Sequence, residues 1–128
     1  MLNHITLRVS NLPRSKAFYV AALAPLGCQM FWDTKDAGGF GIEDRDGMRD
    51  FWIKEGGMAK EGQSFSCLAF DAPDKSAVDK FYEAALAAGG RDNGAPGERP
   101  EYHPDYYAAF VIDPDGYNIE AVFDKPKR

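Results

Sequence analysis

The chain has 128 residues, 45% of them hydrophobic and 27% charged, with a formal net charge of −5. That size supports one ordinary hydrophobic core. The acidic balance, with no basic stripe to offset it, argues against nucleic-acid partners, which require a positive field to neutralise phosphates. No window approaches the roughly 18 apolar residues of a membrane span, and no signal-like segment opens the sequence. The expectation is therefore a cytoplasmic protein with no membrane partner. Its two cysteines, Cys28 and Cys67, read as reduced core thiols.

Taken in chain order, residues 4–9 (His4 to Val9) alternate in the period-2 pattern of a half-buried strand, with Ile5, Leu7 and Val9 on one face. Asn11 is a helix N-cap with proline close behind, and the helix that follows buries Phe18, Ala21, Ala22 and Pro25 before Gly27 stops it. Three short strands follow, at Cys28–Trp32, Gly39–Glu43 and Asp50–Lys54, with Arg45-Asp46-Gly47 as the turn between the last two.

The same order then recurs. Residues 18–27 read FYVAALAPLG and residues 81–90 read FYEAALAAGG, seven identities in ten at an offset of 63. At that offset the first strand falls on Cys67–Ala72, where Leu68 and Phe70 form the apolar face, and Asn11 falls on Asp74, again an N-cap residue. Val78, Phe81 and Ala85 make the buried stripe of the second helix, and Gly90 its stop. A short strand at Gly90–Asn93, a loop at Gly94–Asp105, and strands at Tyr106–Asp113 and Tyr117–Phe123 complete the copy. Asp113-Pro114-Asp115-Gly116 supplies the hairpin turn. The reading is an α+β fold of two tandem βαβββ modules, residues 1–57 and 63–124, in one domain spanning 1–128. Their sheets are half-open and mostly antiparallel.

Residues opposite the helix-facing set define where chemistry would sit. They are His4, Thr6 and Arg8 in the first copy, Cys67, Ala69 and Asp71 in the second, and Asn118, Glu120 and Val122 on the last strand. A carboxylate between Ile119 and Ala121 inside a strand needs a partner, because ionised groups are rarely buried alone. Two sheets curled together would make a cup lined by His4 and Glu120. Tyr106 and Tyr107 face opposite ways, one lining that cup and the other lying under the helix.

The segments His4–Val9, Phe18–Gly27 and Tyr106–Glu120 together resemble the vicinal-oxygen-chelate superfamily of glyoxalases, bleomycin resistance proteins and dioxygenases. The resemblance implies paired βαβββ units around a divalent metal (zinc, nickel, manganese or iron), a small-molecule substrate and a homodimer. It implies His4 and Glu120 as metal ligands, with Glu120 also the candidate catalytic residue. Cys67 stands where a histidine is usual, and Trp52 where a fourth ligand would be: Glu120 lies 68 residues beyond Trp52, the offset plus five inserted residues. His4, Cys67 and Glu120 would suit zinc with an open water position. Arg8, Trp52, Tyr107 and His103 are the candidate substrate contacts. Two functions follow: a metal-dependent lyase, isomerase or dioxygenase, or a metal-free binding protein with an aromatic pocket of Trp52, Tyr107 and Phe31.

Overall fold

The computed structural model describes residues 2–42, 50–56 and 67–124. The expected turn at Arg45-Asp46-Gly47 and the boundary between the modules at 57–63 lie outside the described residues.

The first module runs β1 (Ile5–Val9), α1 (Leu12–Leu23), a 3₁₀ turn (Ala24–Leu26), β2 (Cys28–Asp33), β3 (Ala37–Ile42) and β4 (Phe51–Glu55). The second runs β5 (Leu68–Asp71), α2 (Lys75–Ala87), β6 (Arg91–Asp92), β7 (Gly97–Glu98), β8 (Tyr106–Ile112) and β9 (Asn118–Asp124). Each helix starts where its cap residue dictates. Asn11 accepts a hydrogen bond from the Arg14 amide and Asp74 from that of Ala77, satisfying one orphan donor in each first turn.

The two sheets are open and mixed. β1-β4-β3-β2 forms one and β5-β9-β8-β6 the other; β1 pairs with β4, and β5 with β9, in parallel, the remaining pairs being antiparallel. The duplication seen in the sequence is thus a duplication of topology. The copies differ at one edge. Where β2 runs whole along β3, the outer edge of β8 is shared by β6 near Ile112 and β7 near Ala108. The loop expected at 94–105 therefore contributes a strand.

The helix ends differ from expectation. Gly27 does adopt the left-handed conformation, φ +82°, but after an intervening 3₁₀ turn. In the second copy the left-handed glycine is Gly89, φ +108°, and not Gly90. Gly90 answers a different need: a Cβ there would meet Phe18 Cε1 and the Ala85 carbonyl, each at 2.9 Å. It is a point where the two modules pack too closely for a side chain.

That approach reflects one shared core. Leu7, Val9, Phe18, Tyr19, Phe40, Phe51 and Ile53 of the first module join Val78, Phe81, Ala85, Val111, Ile119 and Ala121 of the second. They come from the helices and from the helix-covered sides of the sheets, and the Phe51 and Phe70 rings meet edge-on at 5.1 Å across the seam. Removing such apolar area from water is the main stabilising term, about 1.5–3 kcal/mol for each large side chain. Polar latches add direction. Tyr19 donates to the buried Asp113 carboxylate at 2.5 Å, Tyr117 donates to the Arg8 carbonyl at 2.9 Å, and Arg14 pairs with Asp115 at 3.2 Å. The sides of the sheets away from the helices lie outside this core, and there the chemistry-bearing residues collect.

Candidate functional site

On β9 the alternation of the strand turns Ile119 and Ala121 into the core and leaves Asn118, Glu120, Val122 and Asp124 on the other side. Register places Glu120 opposite Phe110 on β8 and opposite Ala69 on β5. Cys67, immediately before β5, and Tyr106, at the start of β8, close on it from two directions. The Cys67 thiol donates to Glu120 Oε1 at 3.3 Å, and the Tyr106 hydroxyl donates to Oε2 at 2.5 Å. Glu120 is 3% exposed. The buried strand carboxylate thus has its partners, though neither Arg8 nor Asn118 is one of them.

Burial and the adjoining Glu120 carboxylate push the Cys67 thiol up to about 11. Burial, then the hydrogen bond and charge of Glu120, raise the Tyr106 phenol as well. Both groups are therefore neutral donors at pH 7, each pointing a proton at one carboxylate.

The segment from Gly94 to Asp105 folds over the same side. Tyr102 packs edge-on against Tyr106, ring centroids 5.1 Å apart, and His103 Nδ1 lies 3.3 Å from Asp124 Oδ1. Arg99 lies over the Phe110 ring at 5.4 Å and donates to the carbonyls of Ala95 and Ala108. Ala108, on the side away from α2, is fully buried, and this segment engages its backbone through Gly97 and Arg99.

The other expected site residues fall in different places. Tyr107 turns to the helix side, donating to Asp79 of α2 at 2.7 Å with the Lys75 ammonium over its ring, so Tyr106 is the tyrosine of this site. Trp52 and Arg8 belong to the corresponding side of the first module. There the Trp32 and Trp52 rings stand 6.0 Å apart. Gly39 makes room for them: a Cβ would come 2.9 Å from Trp52 and 3.0 Å from Trp32. A register shift between Met30 and Trp32 turns Trp32, rather than Phe31, toward Trp52.

His4 is exposed, hydrogen-bonds Asn3 at 2.8 Å and lines a cavity of about 450 Å³ at the seam, with Ile5, Cys28, Phe51, Phe70 and Asp71. Glu120 is not part of that lining. Among the described residues no three His, Cys, Asp or Glu side chains gather as a metal-binding group. One chain therefore unites Cys67 with Glu120 and leaves His4 apart. Nor is any helix among the described residues long and apolar enough to cross a membrane.

Paired βαβββ modules, with a buried strand carboxylate on the side of the sheet away from the helices, define an α+β protein built on a tandem repeat. The model of the Glyoxalase/Bleomycin resistance protein/Dioxygenase superfamily matches residues 1–121, and the chain belongs to that superfamily. Its structure is similar to that of a glyoxalase/bleomycin resistance protein from Albidiferax ferrireducens T118, at 30% identity and TM-score 0.81, covering 98% of this chain and 99% of that one. It is also similar in fold to the fosfomycin resistance protein FosX from Mesorhizobium loti, at 19% identity and TM-score 0.70, covering 98% and 92%. A FosX variant from Listeria monocytogenes complexed with Mn(II) and 1S,2S-dihydroxypropylphosphonic acid matches at 22% identity and TM-score 0.67, covering 94% and 87%. No curated protein matches the chain.

Proposed function

We propose that the chain is a divalent-metal-dependent enzyme acting on a small oxygenated substrate, with Cys67 and Glu120 of one copy and His4 of a second copy holding the metal. The observation that carries this reading is the Cys67–Glu120 pair. A thiolate sulfur and a carboxylate oxygen, bound about 2.3 Å and about 2.1 Å from one tetrahedral zinc, stand about 3.5 Å apart. The observed separation is 3.3 Å, so the two donors have the spacing of neighbouring ligands. Binding would release the thiol proton, since the ligand is the thiolate.

A homodimer supplies what one chain does not. With the helix-covered sides packed on each other, the sheet sides bearing His4 and Glu120 are left to meet a second copy. A two-fold arrangement then makes two equal sites.

A divalent ion held by Cys67, Glu120 and the second copy's His4 would supply Lewis-acid polarisation of a substrate carbonyl or hydroxyl oxygen. The protein's own residues handle protons. Glu120, once its carboxylate is released from the ion, would be the base for a substrate proton, and Tyr106, donating to Oε2, orients that carboxylate. The segment at 94–105 keeps water from it. These are the groups of a lyase or isomerase, with a dioxygenase as the alternative on the same site.

A second reading, a metal-free binding protein, is favoured by the Trp32–Trp52 pair. Trp32 is 45% exposed, and aromatic side chains are common in the lining of small-molecule sites. Elemental analysis of untagged protein beside Glu120→Ala separates the two. Near-stoichiometric metal in the wild type, lost in the variant, supports the enzyme. No metal after incubation with zinc, nickel, manganese and ferrous iron sinks it and leaves the binding protein.

A further inference from the structure

Among the described residues no carboxylate pairs with the charge of Arg99. Its Nη2 donates to two backbone carbonyls, of Ala95 at 2.6 Å and of Ala108 at 3.4 Å, and its Nε is buried with no acceptor among the described residues. No carboxylate among those residues pairs with the guanidinium, although the chain is acidic; the neighbouring Glu98 pairs with Lys75 instead. A guanidinium is always charged and offers planar pairs of donors, so one held half-buried without an anion is a site in want of one.

The position is specific. Arg99 lies over Phe110, and Phe110 is the register partner of Glu120. The cation thus sits one strand from the buried carboxylate, on the same side of the sheet, held there by the carbonyls of Ala95 in its own segment and Ala108 on β8. Gly94 is part of that arrangement, since a Cβ at this left-handed residue (φ +146°) would fall 3.1 Å from Phe110 and 3.3 Å from Arg99.

From this geometry we infer that Arg99 anchors an oxyanion of the substrate, a carboxylate or a phosphonate, and sets which small molecules reach Glu120. The inference rests on the site proposed above and deepens it. Substrates are small acids with an oxygen function next to the anionic end. Neutral diols and aldehydes of the same size are discriminated against, because they leave the guanidinium without its anion.

The test is a titration of chelator-treated full-length protein, followed by NMR, with glycolate, methylphosphonate and neutral ethylene glycol. Both anions bind the wild type more tightly than the diol. Arg99→Gln weakens the better anion by about tenfold or more, leaves the diol unchanged, and Arg99→Lys recovers part of the loss. The stronger of the two anions identifies the headgroup. If neither anion outbinds the diol, or if folded Arg99→Gln binds them within twofold of wild type, the inference is overturned. Because metal has been removed, this failure is distinct from failure of the metal centre, which elemental analysis reports by itself.

Discussion

The two modules are fastened by a hydrogen bond whose removal has a calculable effect. Tyr19 is fully buried and Asp113 is 2% exposed. The carboxylate accepts the Tyr19 hydroxyl at 2.5 Å and the amides of Asp115 and Tyr117, each at 2.9 Å. Tyr19→Phe deletes only the hydroxyl, because the ring contacts with Phe18 at 4.8 Å and Phe51 at 4.9 Å are kept. A hydrogen bond to a charged group contributes about 1.5–3 kcal/mol, which for a domain of this size corresponds to a fall of roughly 5–12 °C in melting temperature.

The pH dependence has a definite sign. Burial holds the Asp113 carboxyl above its usual range, against the lowering effect of its hydrogen bonds. A carboxyl raised in the folded state contributes stability that is complete below its unfolded value, about 3.9, and is lost as pH rises through the folded value. Without the phenol the ionised form is worse supported. The penalty is therefore largest at neutral pH and narrows as pH falls toward about 4. Urea denaturation at several pH values, with Asp113→Asn completing a double-mutant cycle, reads both effects. A loss under about 0.5 kcal/mol, within the range of ordinary surface changes, or a loss independent of pH, refutes the latch.

Three further outcomes are expected. Gly39→Ala drives a methyl into the Trp32–Trp52 pair; overpacking of this kind costs about 1–3 kcal/mol and changes tryptophan fluorescence, whereas an unchanged emission spectrum and stability would show that the indoles move freely. Cys28, raised by burial and then by Asp50, and Cys67, raised by burial and Glu120, both lie near about 11. Iodoacetamide alkylation of either should be slow at pH 7 and accelerate as pH approaches that value, with zinc slowing Cys67 alone; fast labelling at neutral pH would contradict their assigned surroundings. Tyr106→Phe removes the donor that orients Glu120 through Oε2 and should lower kcat by about 10- to 100-fold. An equal turnover would place Tyr106 outside the mechanism.

Much of the fold was legible because its signals are local. The repeat, the two cap residues and the Asp-Pro-Asp-Gly turn each act within a few residues. Glu120 stood out because a carboxylate between Ile119 and Ala121 breaks the polarity of a core strand. What escaped depends on partners distant in sequence. Period-2 alternation separates Tyr106 from Tyr107 but does not say which faces the helix; Asp79 on α2 and Glu120 on β9 decide that. The shift between Met30 and Trp32 exchanges the faces of Phe31 and Trp32, and no turn residue announces it. Gly90 looked like a helix stop because the first module's Phe18, which forbids a side chain there, is 72 residues away. The strand at Gly97–Glu98, and the position it gives Arg99, exist only through pairing with β8. Above all, periodicity shows that each sheet has a covered side, not that the two covered sides pack on each other and part His4 from Glu120.

The central claim, a metal centre shared between two copies, is tested most directly by mixing His4→Ala with Glu120→Ala after dissociation and reassembly, then measuring bound metal. Each variant alone should hold none. A site shared across the two-fold regenerates one intact His4–Cys67–Glu120 set in every mixed dimer, so random reassembly restores about a quarter of the wild-type metal. Mixtures that stay as empty as their parents, while the wild type reassembles with its metal, would contradict a centre built from two chains.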